Sequence, residues 1–169
     1  KDTPNNVFAT LNPIDATGQT LSNINLTGYN ASSRCATSTL GFSKGKYYWE
    51  CKVVTQNVYT MIVGIMNDSN MGVLANLGTN ANTWGYLVQS NTDNGKSFHN
   101  NSTSSVLQSV SQGDIIQIAV DSDAGKIWFG VNGTYVSSGN PATGANAVFT
   151  NVSTDKILIP AYTAYNLSL

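Results

Sequence analysis

The segment GDIIQIAVDSDAGKIWFGVNGT, from Gly113 to Thr134, contains two runs of apolar residues joined by a short polar turn. Ile115–Val120 and Lys126–Val131 have the length and residue types of strands, and Asp121–Gly125 has the composition of a tight turn. A second turn, Asn132-Gly133, follows, and Asn-Gly beside alternating apolar residues is a strong hairpin signal. We therefore predict a buried β-hairpin around which the rest of the chain packs.

One side chain of this hairpin lies off its buried face. Alternate residues of a strand share a face, so Ile127, Phe129 and Val131 lie together and Trp128 points the other way. A buried hairpin with an aromatic side chain on its opposite face needs a second covering layer. We expect Trp128 either to pack beneath the N-terminal arm or another loop, or to contact a ligand or a neighbouring subunit.

The composition argues against several kinds of partner. The chain has 169 residues, enough for one domain with a sizeable core, but only 10% are charged and the net charge is −1. Nucleic-acid binding needs a basic surface and attraction to anionic membrane needs a polybasic segment, so we expect neither. Membrane insertion is not expected either, because no apolar run approaches the roughly 18 residues of a span. The chain opens at Lys1 without an initiator methionine or a signal peptide, so we expect it to be part of a longer protein.

The remaining apolar segments have the spacing of a β-sandwich. In Lys46–Val54 the residues Trp49, Cys51 and Val53 alternate with outward-facing neighbours, the pattern of a half-buried antiparallel strand. No segment has a helical period with caps, so we predict an all-β sandwich. Besides the hairpin, the predicted strands are Arg34–Phe42, Lys46–Val54, Tyr59–Met66 with Gly64 at a bulge or close contact, Trp84–Gln89, Ser97–His99, Ala147–Val152, and Ile157–Tyr165 with Pro160 at an edge or bulge.

Cys35 and Cys51 are the only cysteines, too few for a disulfide scaffold. If their strands pair as a hairpin centred near Ser43, the two residues lie roughly opposite each other and a bridge is conceivable. We favour two reduced thiols in the core.

Residue types that perform catalysis or bind metals are scarce. His99 is the only histidine, and at its position after a hairpin turn we favour a structural or exposed role over contact with a ligand. No Gly-x-Ser-x-Gly pattern precedes a serine, so a hydrolase is not expected. Asp121 and Asp123 fit a hairpin turn better than a calcium loop, because the segment runs straight into a strand. We predict no enzymatic activity, no metal site and no cofactor.

Short motifs along the chain follow the order found in one family. Taken together over roughly residues 29–167, they resemble the SPRY (B30.2-like) domain. The resemblance implies a bent, antiparallel two-sheet sandwich of the concanavalin-like jelly-roll type, whose connecting loops form a binding face and which has no catalysis. We assign residues 1–28 to an N-terminal arm packed on the sandwich and residues 29–169 to the domain. The motifs are Gly45–Glu50, Val63–Ile65, Trp84–Tyr86, Asn94–Asn100, Gly113–Ile116, Ala119–Asp121, Ala124–Phe129, Asn132-Gly133, Ala147–Phe149 and Ile159–Ala161.

The arm and the loops resemble one particular group of SPRY-like domains. Asn5–Pro13 with Leu21–Leu26 looks like the opening of SPRY-like modules in bacteriophage virion proteins, and the loops are rich in Asn, Ser and Thr. The resemblance implies a virion protein, a tail-fibre or other adhesin domain that binds a host-surface receptor or glycan. Two alternatives stay open. One is a structural virion domain, in capsid decoration or tail assembly, that contacts neighbouring subunits and is compatible with a homo-oligomer; the other is a peptide-binding adaptor like the animal members of the family.

The predicted ligand-binding residues lie at strand ends, in a long polar loop and on the outer face of the hairpin. Tyrosine and arginine offer rigid contact area with a polar tip, which suits recognition. Loops expected to contribute are Asn67–Thr83, Gln89–Asn94, Asn100–Ser105 and Val136–Asn146. The candidate ligand-binding residues are Tyr29, Arg34, Asn67, Asn70, Trp128 and Tyr162.

Overall fold

Two antiparallel sheets, one of six strands and one of four, form the protein, and a two-stranded hairpin stands beside them. The structure is a computed structural model that describes residues 8–15, 19–23, 26–30, 35–54, 60–71, 76–90 and 93–165. The strands are β1 (Gln19–Ser22), β2 (Thr27–Asn30), β3 (Cys35–Thr37), β4 (Lys46–Lys52), β5 (Thr60–Asn67), β6 (Thr83–Ser90), β7 (Lys96–His99), β8 (Ser102–Thr103), β9 (Ile115–Asp121), β10 (Lys126–Val131), β11 (Thr134–Tyr135) and β12 (Leu158–Tyr165). The predicted all-β two-sheet sandwich is confirmed.

The order of strands in each sheet is set by long-range pairing. The larger sheet has the order β3-β12-β5-β6-β7-β8, the smaller sheet has the order β11-β10-β9-β4, and β1 pairs with β2. Two 3-10 turns, Asp68–Asn70 and Val136–Ser138, are the only helical segments in the described residues. No helix in this part of the chain is long and apolar enough to cross a membrane.

The central hairpin, β9–β10, supplies one wall of the main core. Its register places Ile127 opposite Val120 and Phe129 opposite Ile118, with all four side chains buried between the sheets. The ring of Phe129 stacks on Tyr86 from the larger sheet, with centroids 5.3 Å apart. The hairpin predicted from the sequence is therefore present, and the face that carries Phe129 is the one predicted to be buried.

A second, smaller core covers the outer face of the six-stranded sheet. Ile62, Met66 and Leu87 on that face pack with Leu77, which comes from the loop before β6. The backbone N–H of Leu77 donates to the Thr163 hydroxyl at 3.1 Å, which fixes the loop to β12. Both faces of the larger sheet therefore contain buried apolar side chains.

Gly64 and Pro160 lie inside the larger sheet, on β5 and β12. Gly64 pairs with Gly85, and a Cβ at Gly64 would overlap the backbone carbonyl of Trp84. The close packing predicted at Gly64 is present, whereas the bulge of β5 lies between Met61 and Ile62. Pro160 lies inside the sheet, on β12. The neighbouring segment of chain contacts β12 at Ser38 and again at Phe42, but not between these two residues. The missing N–H of Pro160 lies beside this interruption, so no hydrogen bond is left unmade.

Two expected strands are shorter than the sequence suggests. From the predicted strand over residues 34–42, only Cys35–Thr37 forms a strand, followed by single bridges at Ser38 and Phe42. Ala147–Val152 was predicted as a strand but makes one bridge, from Phe149 to Ile127. That segment packs an aromatic ring onto the core without continuing a ladder.

The pairing of the strands that contain Cys35 and Cys51 is a correction to the sequence prediction. β3 pairs with β12 and β4 pairs with β9, so the expected hairpin around Ser43 does not form. The cysteines belong to different sheets, and both are free thiols. Burial raises the pKa of each thiol from 9.0 to about 12.

The described part of the N-terminal arm extends the larger sheet. Leu11 bridges Ser38, and the Thr37 hydroxyl donates to the Asp15 carboxylate at 2.8 Å. The β1–β2 hairpin also lies against this sheet, because Gly28 approaches Tyr162 so closely that a Cβ there would overlap the phenol. These contacts place the described arm on the larger sheet, whereas Trp128 belongs to the smaller one.

Candidate ligand-binding site

Trp128 lies on the outer face of the four-stranded sheet, as predicted, but it is buried. Only 1% of the residue is exposed, and the indole N–H donates to the carbonyl of Ala145 at 2.7 Å. Gly139 passes directly over the ring, since a Cβ there would lie 2.9 Å from the indole Cδ1. Trp128 therefore packs beneath the loop of residues 136–146, the first of its two predicted roles.

The loop over Trp128, which we call the cover loop (residues 136–146), is held by its own hydrogen bonds. Asn140 and Ala145 exchange backbone hydrogen bonds of 2.9 and 3.1 Å. The Asn140 side-chain oxygen accepts from the backbone of Ala142 and Thr143. From the hairpin below, the Lys126 ammonium donates to the carbonyl of Gly144 at 3.0 Å. The cover loop is thus a fixed wall on this face of the sheet.

Beside the cover loop, the small side chain of Ala119 leaves a depression in the sheet. The register aligns Tyr48, Ala119 and Trp128 across three neighbouring strands, and alternate residues of each strand face the same side. Tyr48, which is 55% exposed, stands on one side of the depression. The resulting outer groove has a volume of about 300 Å³. It is lined by Lys46, Tyr47, Tyr48, Ala119, Val120, Asp121, Trp128, Tyr135, Pro141 and Ala142.

Polar groups surround this largely apolar groove. At one end the Lys46 ammonium lies 3.6 Å from the Asp121 carboxylate. Next to Tyr48, the Glu50 carboxylate accepts a hydrogen bond from the phenol hydroxyl, and this bond is the main cause that raises the pKa of Tyr48 to about 12. Burial, and then the charge of Glu50, raises the pKa of Tyr135. Both phenols are therefore protonated at neutral pH and serve as hydrogen-bond donors.

The arrangement is suited to non-covalent binding. An exposed aromatic ring, an apolar floor and a few polar groups at the rim are the usual features of a small ligand site. Among the described residues, no group of three or more His, Cys, Asp and Glu side chains is placed to hold a metal ion.

The model of the SPRY domain family matches residues 46–168 of the chain. The chain belongs to the SPRY family. This confirms that the sequence motifs are those of a SPRY domain, and members of the family are in general non-catalytic modules that bind protein partners.

Three solved structures, two of them named as SPRY domains, have a fold similar to this chain. The SPRY domain of human HERC1 is similar with a TM-score of 0.68 and 20% identity, over 92% of this chain and 90% of that one. The TRIM65 PSpry domain has a TM-score of 0.67 and 16% identity, over 94% and 85%. The stonustoxin structure has a TM-score of 0.64 and 19% identity, over 92% of this chain and 25% of that chain. A comparison with curated proteins found no match.

Asn67 and Asn70, predicted as ligand contacts in an open loop, are buried in this SPRY domain. The Asn67 amide donates to the side chains of Asn82 and Ser153, at 3.2 and 3.1 Å. The side-chain oxygen of Asn70 accepts from Asn80 at 2.8 Å. Because these amides hold the polar loop before β6 in place, they are structural and their side chains face away from solvent.

The other predicted residues do not converge with Trp128. Tyr162 is half-buried on β12, and burial raises its pKa. Tyr29 pairs with Thr20 in the β1–β2 hairpin, and Arg34 lies outside the described residues. The described members of the predicted set therefore spread over all three sheets and do not form one surface.

Sequence reasoning missed the residues that build the outer groove. Tyr48 is the main one, together with Ala119 and the Pro141-Ala142 tip of the cover loop. One signal was available, since the alternation of β4 places Tyr48 and Glu50 on the outward face. Nothing in the sequence shows that a loop more than 90 positions away closes the other side.

His99 has the structural role predicted for it. Its ring stacks on Trp84 with centroids 5.1 Å apart. Nδ1 lies 2.8 Å from the Thr83 carbonyl, and Nε2 lies 3.1 Å from the side-chain nitrogen of Asn151. Asn151 in turn accepts from the Trp84 indole at 3.2 Å. These contacts connect β6 and β7 to the segment before β12.

Proposed function

We propose that this SPRY domain is a non-catalytic binding module that holds its ligand in the outer groove. We further propose that the ligand is a host-surface glycan and that the module belongs to an adhesin, a bacteriophage tail fibre, and so acts in the virion. The single observation that carries the proposal is the groove itself. It combines an exposed tyrosine, a small apolar floor and a rigid opposite wall on a surface with few charges.

The chemistry of the groove suits a polyhydroxylated ligand without net charge. The exposed ring of Tyr48 offers a flat apolar face, against which the apolar face of a sugar ring can pack. Lys46 and Asp121 neutralise each other, so they present a donor and acceptors without a net charge. Glu50 adds a further carboxylate that can accept from sugar hydroxyls. A neutral ligand therefore finds both kinds of hydrogen-bonding partner around an aromatic platform.

Weak binding by one groove is compatible with function on a multivalent particle. A site of about 300 Å³ is at the lower end for small-ligand pockets, so we expect modest affinity for one domain. Several copies on one fibre would raise the overall avidity by roughly 10²- to 10⁴-fold without any new contact.

A protein segment is the second candidate ligand, and family membership favours it, because SPRY domains in general bind protein partners. An extended peptide could place a proline or aliphatic side chain against Ala119 and hydrogen-bond at the rim. The two candidates differ in what competes for the groove, so one set of measurements separates them.

The test measures binding of the 169-residue chain to immobilised bacterial surface polysaccharides and, in parallel, to a random peptide library. Tyr48→Ala should weaken polysaccharide binding by about tenfold or more, since it removes the aromatic platform. Val106→Ala is the matched control, because Val106 has the same 55% exposure and lies outside the groove. Peptide binding that is lost in Tyr48→Ala would replace the glycan by a protein ligand. Polysaccharide binding that survives Tyr48→Ala would show that the groove is not the binding site.

A further inference from the structure

The fourth strand ends the smaller sheet, and one of its edges has no neighbouring strand among the described residues. β4 pairs with β9 on one side only. Val53 and Gly45, which flank β4, make backbone hydrogen bonds on the β9 side. Backbone groups alternate in direction along a strand, so the N–H and C=O groups of the odd-numbered residues between them also point toward β9. The backbone N–H and C=O groups of Lys46, Tyr48, Glu50 and Lys52 consequently point away from the sheet. Such a row of unpaired groups is a template for another strand.

The charges along this edge are complementary to themselves in one antiparallel register. If Tyr48 meets Tyr48 of a second copy, Lys46 of each copy lies opposite Glu50 of the other. Sliding the copies by one step, so that Tyr48 meets Glu50, places Lys46 opposite Lys52 twice. Sliding them again places Glu50 opposite Glu50. Sliding them the opposite way, so that Lys46 meets Tyr48, creates no like-charge pair but joins only residues 46–48 of each β4. Like charges directly opposite each other are unfavourable, so the first register is the longest of these pairings within β4 that avoids them.

Aromatic side chains also match in that register. Hydrogen-bonded and non-hydrogen-bonded residue pairs alternate along an antiparallel ladder. In this register the non-hydrogen-bonded pairs join Tyr47 of one copy to Trp49 of the other, and side chains are closest together in pairs of this kind. Tyr47 is 41% exposed and Trp49 is partly exposed on the same face of β4. Pairing would therefore cover apolar surface that one copy leaves in solvent.

We propose that the free edge of β4 is a docking surface for a second copy of this chain. The two copies are related by a two-fold axis at Tyr48, and the two smaller sheets join into one continuous sheet. The outer grooves then lie side by side, with the Tyr48 side chains of both copies between them. This pairing rests on the sheet edge and its charges and does not depend on what the groove binds.

The first test is sedimentation velocity of the 169-residue chain with paired charge reversals. The wild type should show a concentration-dependent dimer. Lys46→Glu and Glu50→Lys should each weaken it by about tenfold, because each turns two opposed-charge pairs into like-charge pairs. The double variant, Lys46→Glu with Glu50→Lys, restores the opposed pairs and should regain the wild-type association. Lys46→Glu also replaces the pair with Asp121 inside each chain by two like charges, so a small fall in Tm is expected for the variants that carry it, and thermal unfolding serves as the folding control.

A cross-link tests the register directly. In the proposed dimer the two Cα atoms at position 48 lie about 5.5 Å apart, which permits a disulfide. Tyr48→Cys should therefore form a covalent dimer under mild oxidation, whereas Val106→Cys should not. A wild-type chain that remains monomeric up to about 1 mM would overturn the proposal. So would a dimer that the single charge reversals leave unchanged or that the double variant fails to restore.

Discussion

Replacing Trp128 with phenylalanine tests whether the indole anchors the cover loop. The smaller ring loses apolar contact worth about 1.5 kcal/mol, at roughly 0.8 kcal/mol for each buried carbon. It also loses the hydrogen bond to Ala145, worth about 1 kcal/mol. The penalty for an orphaned carbonyl does not apply, because Ala145 still accepts from the backbone of Asn140. The free energy of unfolding should fall by about 2.5 kcal/mol, which lowers the Tm of a chain this size by roughly 5–10 °C.

Calorimetry and limited proteolysis together measure this effect, with Trp84→Phe as the matched control. Trp84 is equally buried and also donates one indole hydrogen bond, to Asn151 at 3.2 Å. Both variants should therefore lower the Tm by a similar amount. Only Trp128→Phe should speed cleavage by a non-specific protease within residues 136–146, since only Trp128 lies beneath that loop. A Trp128→Phe chain with an unchanged Tm and an unchanged cleavage rate would refute the assignment of the indole as the anchor.

Three further predictions concern the two cysteine thiols, the backbone packing at Gly64 and the hydrogen-bonded carboxylate of Asp114. At pH 8, Cys35 and Cys51 should react with iodoacetamide about 1,000-fold more slowly in the folded than in the urea-unfolded chain, because burial raises the pKa of both from 9.0 to about 12; similar rates would disprove this. In urea titrations, Gly64→Ala should cost about 3 kcal/mol or more through overlap with backbone, against about 1 kcal/mol for Gly113→Ala, which has open space but a positive φ; equal losses would contradict the packing. Hydrogen bonds from a neighbouring asparagine side chain and a serine N–H lower the pKa of Asp114 below 3.8. This carboxylate therefore stabilises the fold above pH 3.8, and its contribution disappears as the pH falls through the pKa of the folded state. Acid titration of stability should therefore be shallower in Asp114→Asn, and identical profiles would argue against this role.

Local sequence signals were enough for the hairpin and for much of the core. The Asn-Gly turn and the alternation of Ile127 and Phe129 depend on neighbours in sequence, and the structure contains both features. The pairing of β3 and β4 could not be inferred in the same way. Cys35 and Cys51 are close in sequence, and a local hairpin is the simplest hypothesis, yet each strand pairs with a strand that lies far along the chain.

The candidate site was harder to predict because it depends on which loop covers which face. Asn67 and Asn70 occur in a polar segment that looks solvated, but their side chains are buried and hydrogen-bond to Asn80, Asn82 and Ser153 in the interior. Trp128 was correctly placed on the outer face, and only the fold shows which residues cover it. Periodicity predicts the direction of a side chain, whereas long-range contacts determine its exposure.

An NMR titration tests most directly whether the outer groove is the ligand site. An oligosaccharide released from the polysaccharide that binds the chain is added to the ¹⁵N-labelled 169-residue chain. The largest shift changes are expected at the backbone amides of Tyr48, Ala119 and Ala142, which line the groove on three separate segments. Changes centred on residues 67–83 or 100–105, with the groove amides unmoved, would contradict this assignment.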